Sequence, residues 1–324
     1  MFDILGVAAL LAFALLATWL AIRARRANNR LVKWVGLVLS SLLSLACTLA
    51  IGVALVGFYK INFPHHRPAV SEIRVAGTPD QVARGAKFGA FCAICHSPDG
   101  KAPLVGQNFA PGGVGFGTIY AANLTPAGEI KDWSDGEIIR AIREGVHQSG
   151  RALIIMPSKA FHNLSDDDVQ AIVAYLRSQP AAGPATPPTK LNVLAALLLG
   201  VGVATTSAQS PVTTPIVAPA EVASADYGKY LVSFLGCQQC HGENFAGRRP
   251  GGPGPPPGPN LTVILPKWGV EDFTRTLRTG VDPNNHTLAG GMPWKEISAF
   301  ASDEDLKAIY TYLHGLTPIA GSTK

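Results

Sequence analysis

The sequence predicts an all-α protein: an N-terminal two-helix transmembrane hairpin followed by two small helical domains of one repeated design. Three observations predict it. Two long uncharged apolar stretches lie near the N-terminus, the pentapeptide Cys-X-X-Cys-His occurs twice, and the same series of short motifs follows each pentapeptide. At 324 residues the chain has room for two or three modules. Apolar residues make up 47% and charged residues 15%, which places part of the chain in lipid.

The hairpin comes first, over residues 1–62. Ile4 to Ile22 and Trp34 to Tyr59 are free of charge and almost wholly apolar. Each is long enough to span a hydrocarbon core of about 30 Å at about 1.5 Å per residue. Between them fall Arg23, Arg25, Arg26, Arg30 and Lys33. The positive-inside rule puts that loop in the cytoplasm, so everything after the second span lies outside. A cleavable leader would instead carry positive charge ahead of its apolar run and a small-residue cleavage site behind it. Here the only early charge is Asp3, and arginines follow the run. A retained hairpin is therefore expected, with lipid as one partner. Cys47, inside the second span, reads as a small buried hydrophobe.

Asn62-Phe63-Pro64-His65-His66-Arg67-Pro68 reads as a stiff connector. The first helical domain is expected over 63–180 and the second over 224–324, separated by a linker over 181–223. The formal charge of +5 belongs mostly to the loop between the spans. From His65 to Pro180 there are eleven basic and eleven acidic side chains, and from Ala220 onward nine and ten. No basic stripe remains for a phosphate backbone, which excludes nucleic acid as a partner.

Cys92-Ala93-Ile94-Cys95-His96 and Cys237-Gln238-Gln239-Cys240-His241 have the spacing of covalent haem attachment. Two thioether bonds would hold each porphyrin, and the adjacent His96 or His241 would ligate its iron. Half a zinc site or a thioredoxin-like pair also contains Cys-X-X-Cys. Neither accounts for a histidine after the second cysteine in both copies. A disulfide across three residues closes a strained ring that suits redox chemistry better than stapling.

The repeat runs on from each motif. In the first copy it reads Asn123-Leu124-Thr125, Trp133, Arg143-Glu144-Gly145-Val146, Met156-Pro157 and a terminal helix. In the second it reads Asn260-Leu261-Thr262, Trp268, Arg278-Thr279-Gly280-Val281, Met292-Pro293 and another helix. Ser165-Asp166-Asp167-Asp168 precedes Val169, Ile172, Val173 and Leu176; Ser302-Asp303-Glu304-Asp305 precedes Leu306, Ile309, Tyr310 and Leu313. Each serine can cap the free amides and the acids face the positive end of the helix dipole. The apolar face of each terminal helix should pack on the helix that carries Cys-X-X-Cys-His. Shorter helices are expected at Asp135–Arg143 and Glu271–Arg278.

Pro180 to Pro188 reads as a linker. Leu191 to Ala204 is apolar but shorter than the roughly 20 residues a span needs, and a single crossing would put the second haem motif in the cytoplasm. It is expected to lie at the interface or on a partner protein. The tract Pro250 to Pro259 reads as an extended loop, in place of the glycine-rich insertion Phe109 to Gly117 of the first copy. Gly112-Gly113-Val114-Gly115-Phe116-Gly117 follows no clear strand and precedes no clear helix, so it reads as a haem-covering loop and not a nucleotide loop.

The second axial ligand separates a carrier from an enzyme, because an open iron can bind oxygen, peroxide or carbon monoxide. The chain has three methionines, one of them the initiator. Met156 and Met292 fall one per repeat, each before a proline, 60 and 51 residues after the haem histidines. Matched placement points to thioether ligation and not to core filling. His147, His162 and His286 have no counterpart histidine in the other copy. Two six-coordinate irons leave no place for substrate, so the chain is read as an electron carrier and not an enzyme.

With these motifs the chain resembles class I c-type cytochromes in tandem, over about 82–179 and 225–317. Asn-Leu-Thr, the following Trp, Arg-X-Gly-Val, Met-Pro and the Ser-Asp start of the last helix make it similar to the cytochrome c subunits of membrane-bound alcohol, aldehyde and gluconate dehydrogenases. The resemblance implies two covalently attached haem c groups, with Cys92, Cys95, Cys237 and Cys240 as thioether sites. It implies His96/Met156 and His241/Met292 as axial pairs. Trp133 and Trp268 would pack near the haem edges, or else serve as ordinary core aromatics. Those subunits generally carry three haems where this chain has two, and they lack its N-terminal hairpin. Diheme subunits of haem–copper oxidases and quinol–cytochrome c reductases, and the membrane-anchored cytochromes of photosynthetic reaction centres, share the tandem or anchored arrangement. The expected setting is the periplasmic face of the cytoplasmic membrane, beside integral electron-transfer subunits and a redox donor and acceptor.

Overall fold

A computed structural model describes residues 4–63, 70, 72–109, 115–249 and 256–320. The connector histidines His65 and His66, most of the glycine-rich insertion and residues 250–255 of the Pro/Gly tract lie outside the described residues.

Helices α1 (Ile4–Ala24) and α2 (Arg30–Asn62) form the hairpin. Asn29 caps α2 by accepting from the amides of Leu31 and Val32, so Arg30 and Lys33 sit inside its first turn. The two helices meet through small side chains: Ala14, Ala17, Cys47 and Ala54 are buried, and the Thr18 and Ser44 hydroxyls lie 2.8 Å apart. Small residues let helices approach closely where no water drives them together. The outward faces, including Leu11, Leu15, Leu42 and Leu49, are exposed apolar surface. Both helices are long and apolar enough to cross a membrane.

The first haem motif ends α3 (Pro79–His96), started by a Thr78/Gln81 capping box with Pro79 at its first position. Three two-residue strands follow: β1 (Gln107–Asn108), β2 (Gly117–Thr118) and β3 (Tyr120–Ala121), with β1 paired antiparallel to β3. Then come α4 (Asp135–Glu144), α5 (Ser158–Phe161) and α6 (Asp166–Ser178). After the Pro/Ala/Thr segment, β4 (Lys190–Leu191) pairs with β2 and leads into α7 (Val193–Gly200). The second copy consists of α8 (Ala225–Phe234), α9 (Gln238–His241), α10 (Leu261–Ile264), α11 (Val270–Thr279), α12 (Trp294–Phe300) and α13 (Asp303–His314).

Glycines let the haem helix of each copy cross its terminal helix at backbone contact. A Cβ at Gly85 would stand 1.9 Å from the Ala171 carbonyl oxygen, and one at Gly228 1.9 Å from that of Ala308. The serine caps form as the sequence suggests, with Ser165 accepting from the Asp168 amide and Ser302 from that of Asp305. One expectation needs correcting. In the second copy the long helix ends before the haem motif, because Gly236 turns the chain at φ +66° and the motif continues on the separate turn α9.

The linker is not loose. Asn123 donates to the carbonyls of Ala182 and Pro184, and Thr125 to that of Ala182. Helix α7 lies on the hairpin: a Cβ at Gly57 would meet the Ala196 carbonyl oxygen at 2.0 Å, and one at Gly200 that of Val53 at 2.1 Å. Lys60 donates to the Leu199 and Gly200 carbonyls, satisfying groups that a helix C-terminus leaves free. The two copies share one apolar core.

Candidate haem sites

Each copy closes around a cavity that gathers its motif residues. The first, ≈ 160 Å³, is lined by Cys95, His96, Trp133 and Met156; the second, ≈ 500 Å³, by Cys237, Cys240, His241, Trp268 and Met292. Cys92 is half-buried against the adjoining core. Nine of the ten candidate haem-site residues line one of the two cavities, and Cys92 stands beside the first.

The histidines are held from behind. His96 Nδ1 is 2.8 Å from the Ala122 carbonyl oxygen and His241 Nδ1 is 2.9 Å from that of Pro259. An Nδ1–H donated to a carbonyl fixes the tautomer and leaves the Nε2 lone pair for a metal. Burial holds both histidines below the usual imidazole range, opposed only in part by that hydrogen bond and, at His96, by Glu129; the net effect favours the neutral imidazole that a metal requires. Beside His241 there is no room for a side chain: a Cβ at Gly258 would lie 2.7 Å from Nδ1.

The accepting carbonyls belong to the residues just before Asn123-Leu124-Thr125 and Asn260-Leu261-Thr262. In each triplet the Asn oxygen accepts from the Thr amide and hydroxyl, forming a local turn. The Asn amide then binds the segment that follows the terminal helix: Ala182 and Pro184 in the first copy, Ile319 in the second. The triplet thus ties chain end to carbonyl, and carbonyl to histidine. The repeat marked these residues, but their role depends on partners about 60 residues downstream.

The Arg-X-Gly-Val step fixes the opposite wall. Gly145 and Gly280 end α4 and α11 in the left-handed region, at φ 64° and 72°. Arg143 donates to the Leu164 carbonyl and pairs with Asp166 at 2.7 Å. Arg278 donates to the Ala301 carbonyl at 2.8 Å and pairs with Asp303 at 2.7 Å. Each arginine thereby joins the helix before its Met-Pro to the terminal helix after it. Ile155, just ahead of Met156, has φ 66°, a strained conformation for a β-branched residue, with its side chain half exposed at the cavity mouth.

The thiols fit attachment better than the alternatives. Burial pushes Cys92 and Cys237 up to about 12 and raises Cys95 and Cys240 as well, which favours protonated thiols over the thiolate a redox pair uses. Among the described residues, no three His, Cys, Asp or Glu side chains gather as a tetrahedral zinc site requires. Two cysteines, a histidine with a free Nε2, a thioether and apolar walls suit a covalently attached haem. The second cavity lies within the roughly 300–1,000 Å³ of small-molecule and cofactor sites. The first presents the same donors in a smaller space whose walls include Phe109, Ile154 and Ile155.

Sequence reading missed Arg151, which lines the first cavity with Glu129 and His147. Its counterpart is His286, which lines the second: the Arg151 carbonyl accepts from the His147 amide and the His286 carbonyl from the Asp282 amide, both at 2.9 Å. Only the matching hairpins reveal this pairing, because the side chains differ.

Fold and donor set define proteins that carry c-type haem. Residues 80–176 match the family described as cytochrome c oxidase, cbb3-type, subunit III, and residues 225–317 match cytochrome c. This chain is a tandem, diheme cytochrome c with two covalently attached haem c groups. It is 31% identical over 243 residues to a nicotinate dehydrogenase subunit of Pseudomonas putida, covering 69% of this chain and 20% of that protein. It is 30% identical to the cytochrome c subunit of the quinone alcohol dehydrogenase of Gluconacetobacter polyoxogenes, covering 76% and 59%. Against the fructose dehydrogenase cytochrome subunit of Gluconobacter japonicus the identity is 25%, covering 79% and 54%. The chain spans a fifth to three fifths of the length of these relatives.

Proposed function

We propose that this chain is a membrane-anchored, non-catalytic electron carrier. Its haem domains, 63–180 and 224–324, work on the periplasmic side of the cytoplasmic membrane. The hairpin 1–62 is the anchor, and 181–223 joins the domains while resting on it. Its donor is a dehydrogenase, by analogy with the dehydrogenase subunits it is similar to. The observation that carries the reading is the matched pair of donor sets, with a pinned histidine and a methionine on one cavity in each copy.

Cys92 and Cys95, and Cys237 and Cys240, are the attachment points. His96 with Met156, and His241 with Met292, would hold the two irons. A haem c so held supplies a one-electron Fe(III)/Fe(II) couple. The histidine and methionine of each copy would keep small molecules from reaching the iron they hold. Trp133 and Trp268 help to exclude water from the cavities they line. Helix α7 and the turn after it present Leu194, Val201 and Val203 to the surroundings beside the outer end of α2 and join the hairpin in contacting lipid.

Carbon monoxide tests the carrier reading. The fully reduced protein should show no spectral change on exposure; conversion of one whole haem would mean that a methionine is not a lasting ligand. A second setting, beside a haem–copper oxidase, is favoured by the family matched over 80–176. Identifying the chains that co-purify in mild detergent separates the two: a flavin- or quinone-cofactor dehydrogenase supports the first, an oxidase the second.

A further inference from the structure

The glycine crossings set the two copies in register. If Gly85 corresponds to Gly228, then Arg84 corresponds to Tyr227, Lys87 to Tyr230 and Phe91 to Phe234. Two buried carboxylates receive the four polar side chains. Asp168, at the third position of α6, has no exposed side-chain surface; it takes Arg84 Nε at 2.5 Å from its own domain and the Tyr230 hydroxyl from the other. Asp305, at the third position of α13, takes the Tyr227 hydroxyl at 3.1 Å from its own domain and Lys87 Nζ at 2.7 Å from the other. Each terminal helix is thus held by one group of its own haem helix and one of its neighbour's.

Around these two points lies a shared aromatic layer. The Phe234 ring sits 5.0 Å from Phe88, 5.5 Å from Phe91, 5.3 Å from Phe161 and 5.1 Å from Phe300, centroid to centroid. Phe88 and Phe91 precede Cys92 by four residues and one, and Phe234 precedes Cys237 by three, so the attachment ends of both haem motifs flank the layer. Separating the domains would strip each buried carboxylate of one partner and expose the rings to water. Both changes are costly.

We propose that Asp168 and Asp305 are positioning residues, forming a two-point clamp that locks the haem domains into one rigid body. The clamp fixes the separation of the two cofactors. An electron leaving one iron for the other then needs no domain motion and no co-reactant, because one centre is oxidised as the other is reduced. The proposal does not depend on which complex the protein serves.

The test uses the full haem-loaded chain in detergent with both irons oxidised, and reads the iron–iron distance distribution by pulsed dipolar EPR. The wild type should give one narrow distribution. The double variant Lys87→Met, Tyr230→Phe removes the cross-domain donors to the two buried carboxylates and leaves Arg84–Asp168, Tyr227–Asp305 and the exposed Lys159–Glu243 pair in place. It should broaden the distribution at least twofold, with the visible spectrum and both midpoint potentials unchanged. A broad wild-type distribution, or a variant as narrow as wild type, overturns the clamp. If the double variant loses a haem, the single variant Tyr230→Phe, with Asp168 still paired to Arg84, gives the same reading.

Discussion

The two haem domains share one set of candidate ligands and differ in what surrounds them. In the first, α3 runs unbroken through the haem motif, the cavity is small, and Arg151, Glu129 and His147 line it. In the second, Gly236 breaks the chain before the motif, the cavity is about three times larger, and His286 and Asp282 take the matching places. Even the tryptophan supports differ: the Trp133 carbonyl accepts from Arg177, that of Trp268 from the Tyr310 hydroxyl. The repeat keeps two cysteines, a histidine and a methionine in each copy while the residues around them diverge. Two irons with the same ligands can then have different potentials, because charge, hydrogen bonding and solvent exposure tune a haem as the ligands do.

Removing one methionine at a time gives the largest effect. Met156→Ala and Met292→Ala should each open one iron, so that half of the reduced haem binds carbon monoxide. Each should lower one midpoint potential by on the order of 100 mV, a fraction of the roughly 0.8 V that axial ligands span. Optical titration of each variant assigns a potential to a domain. If either variant behaves as wild type, that methionine is core filling.

The asparagines come next. Asn123 makes one more hydrogen bond than Asn260, since it holds both Ala182 and Pro184. Asn123→Ala should cost about 3–4 kcal/mol and Asn260→Ala about 2–3 kcal/mol, by the penalty for leaving buried partners unsatisfied. Denaturant melts followed at the Soret band read both values, and a larger cost at Asn260 would reverse the ranking of the two straps.

The smallest effect is the pH range over which the domain clamp holds. Burial raises Asp305, but the hydrogen bonds from Lys87 and the Ser302 cap outweigh it and leave its carboxyl below the usual range. A depressed carboxyl contributes stability above its unfolded value near 3.9, and that stability is lost as pH falls through the folded value. Burial raises Tyr227 and Tyr230, with Asp305 and Asp168 adding to the shifts. Their contribution is full below the unfolded value near 10 and fades as pH rises beyond it. The distance distribution should therefore be narrowest between about pH 4 and 10. Broadening centred near neutrality would point to a histidine instead.

Local features were legible in the sequence. The pentapeptides, the serine-capped terminal helices and the matched Met-Pro pairs each announce themselves within a few residues, and the helices form at Asp166–Ser178 and Asp303–His314. What escaped notice joins residues far apart. Arg84 and Tyr230 meet at Asp168 across 84 and 62 positions, and no single-chain periodicity marks them. Helix α7 is another case: its composition marked it as apolar and too short to span, but only Gly57, Gly200 and Lys60 together show that it rests on the hairpin. The repeat was the one long-range signal available. It revealed which residues matter in each domain without showing how one domain grips the other.

Two closed haem centres of unequal potential are best checked by potentiometric titration of the wild-type chain in detergent, followed optically. Two one-electron steps of equal amplitude are expected, set apart because Arg151 and Glu129 line the first cavity where His286 and Asp282 line the second. A single step accounting for one haem, or a reduced state in which an iron lacks its second protein ligand, would rule out a pair of closed carriers.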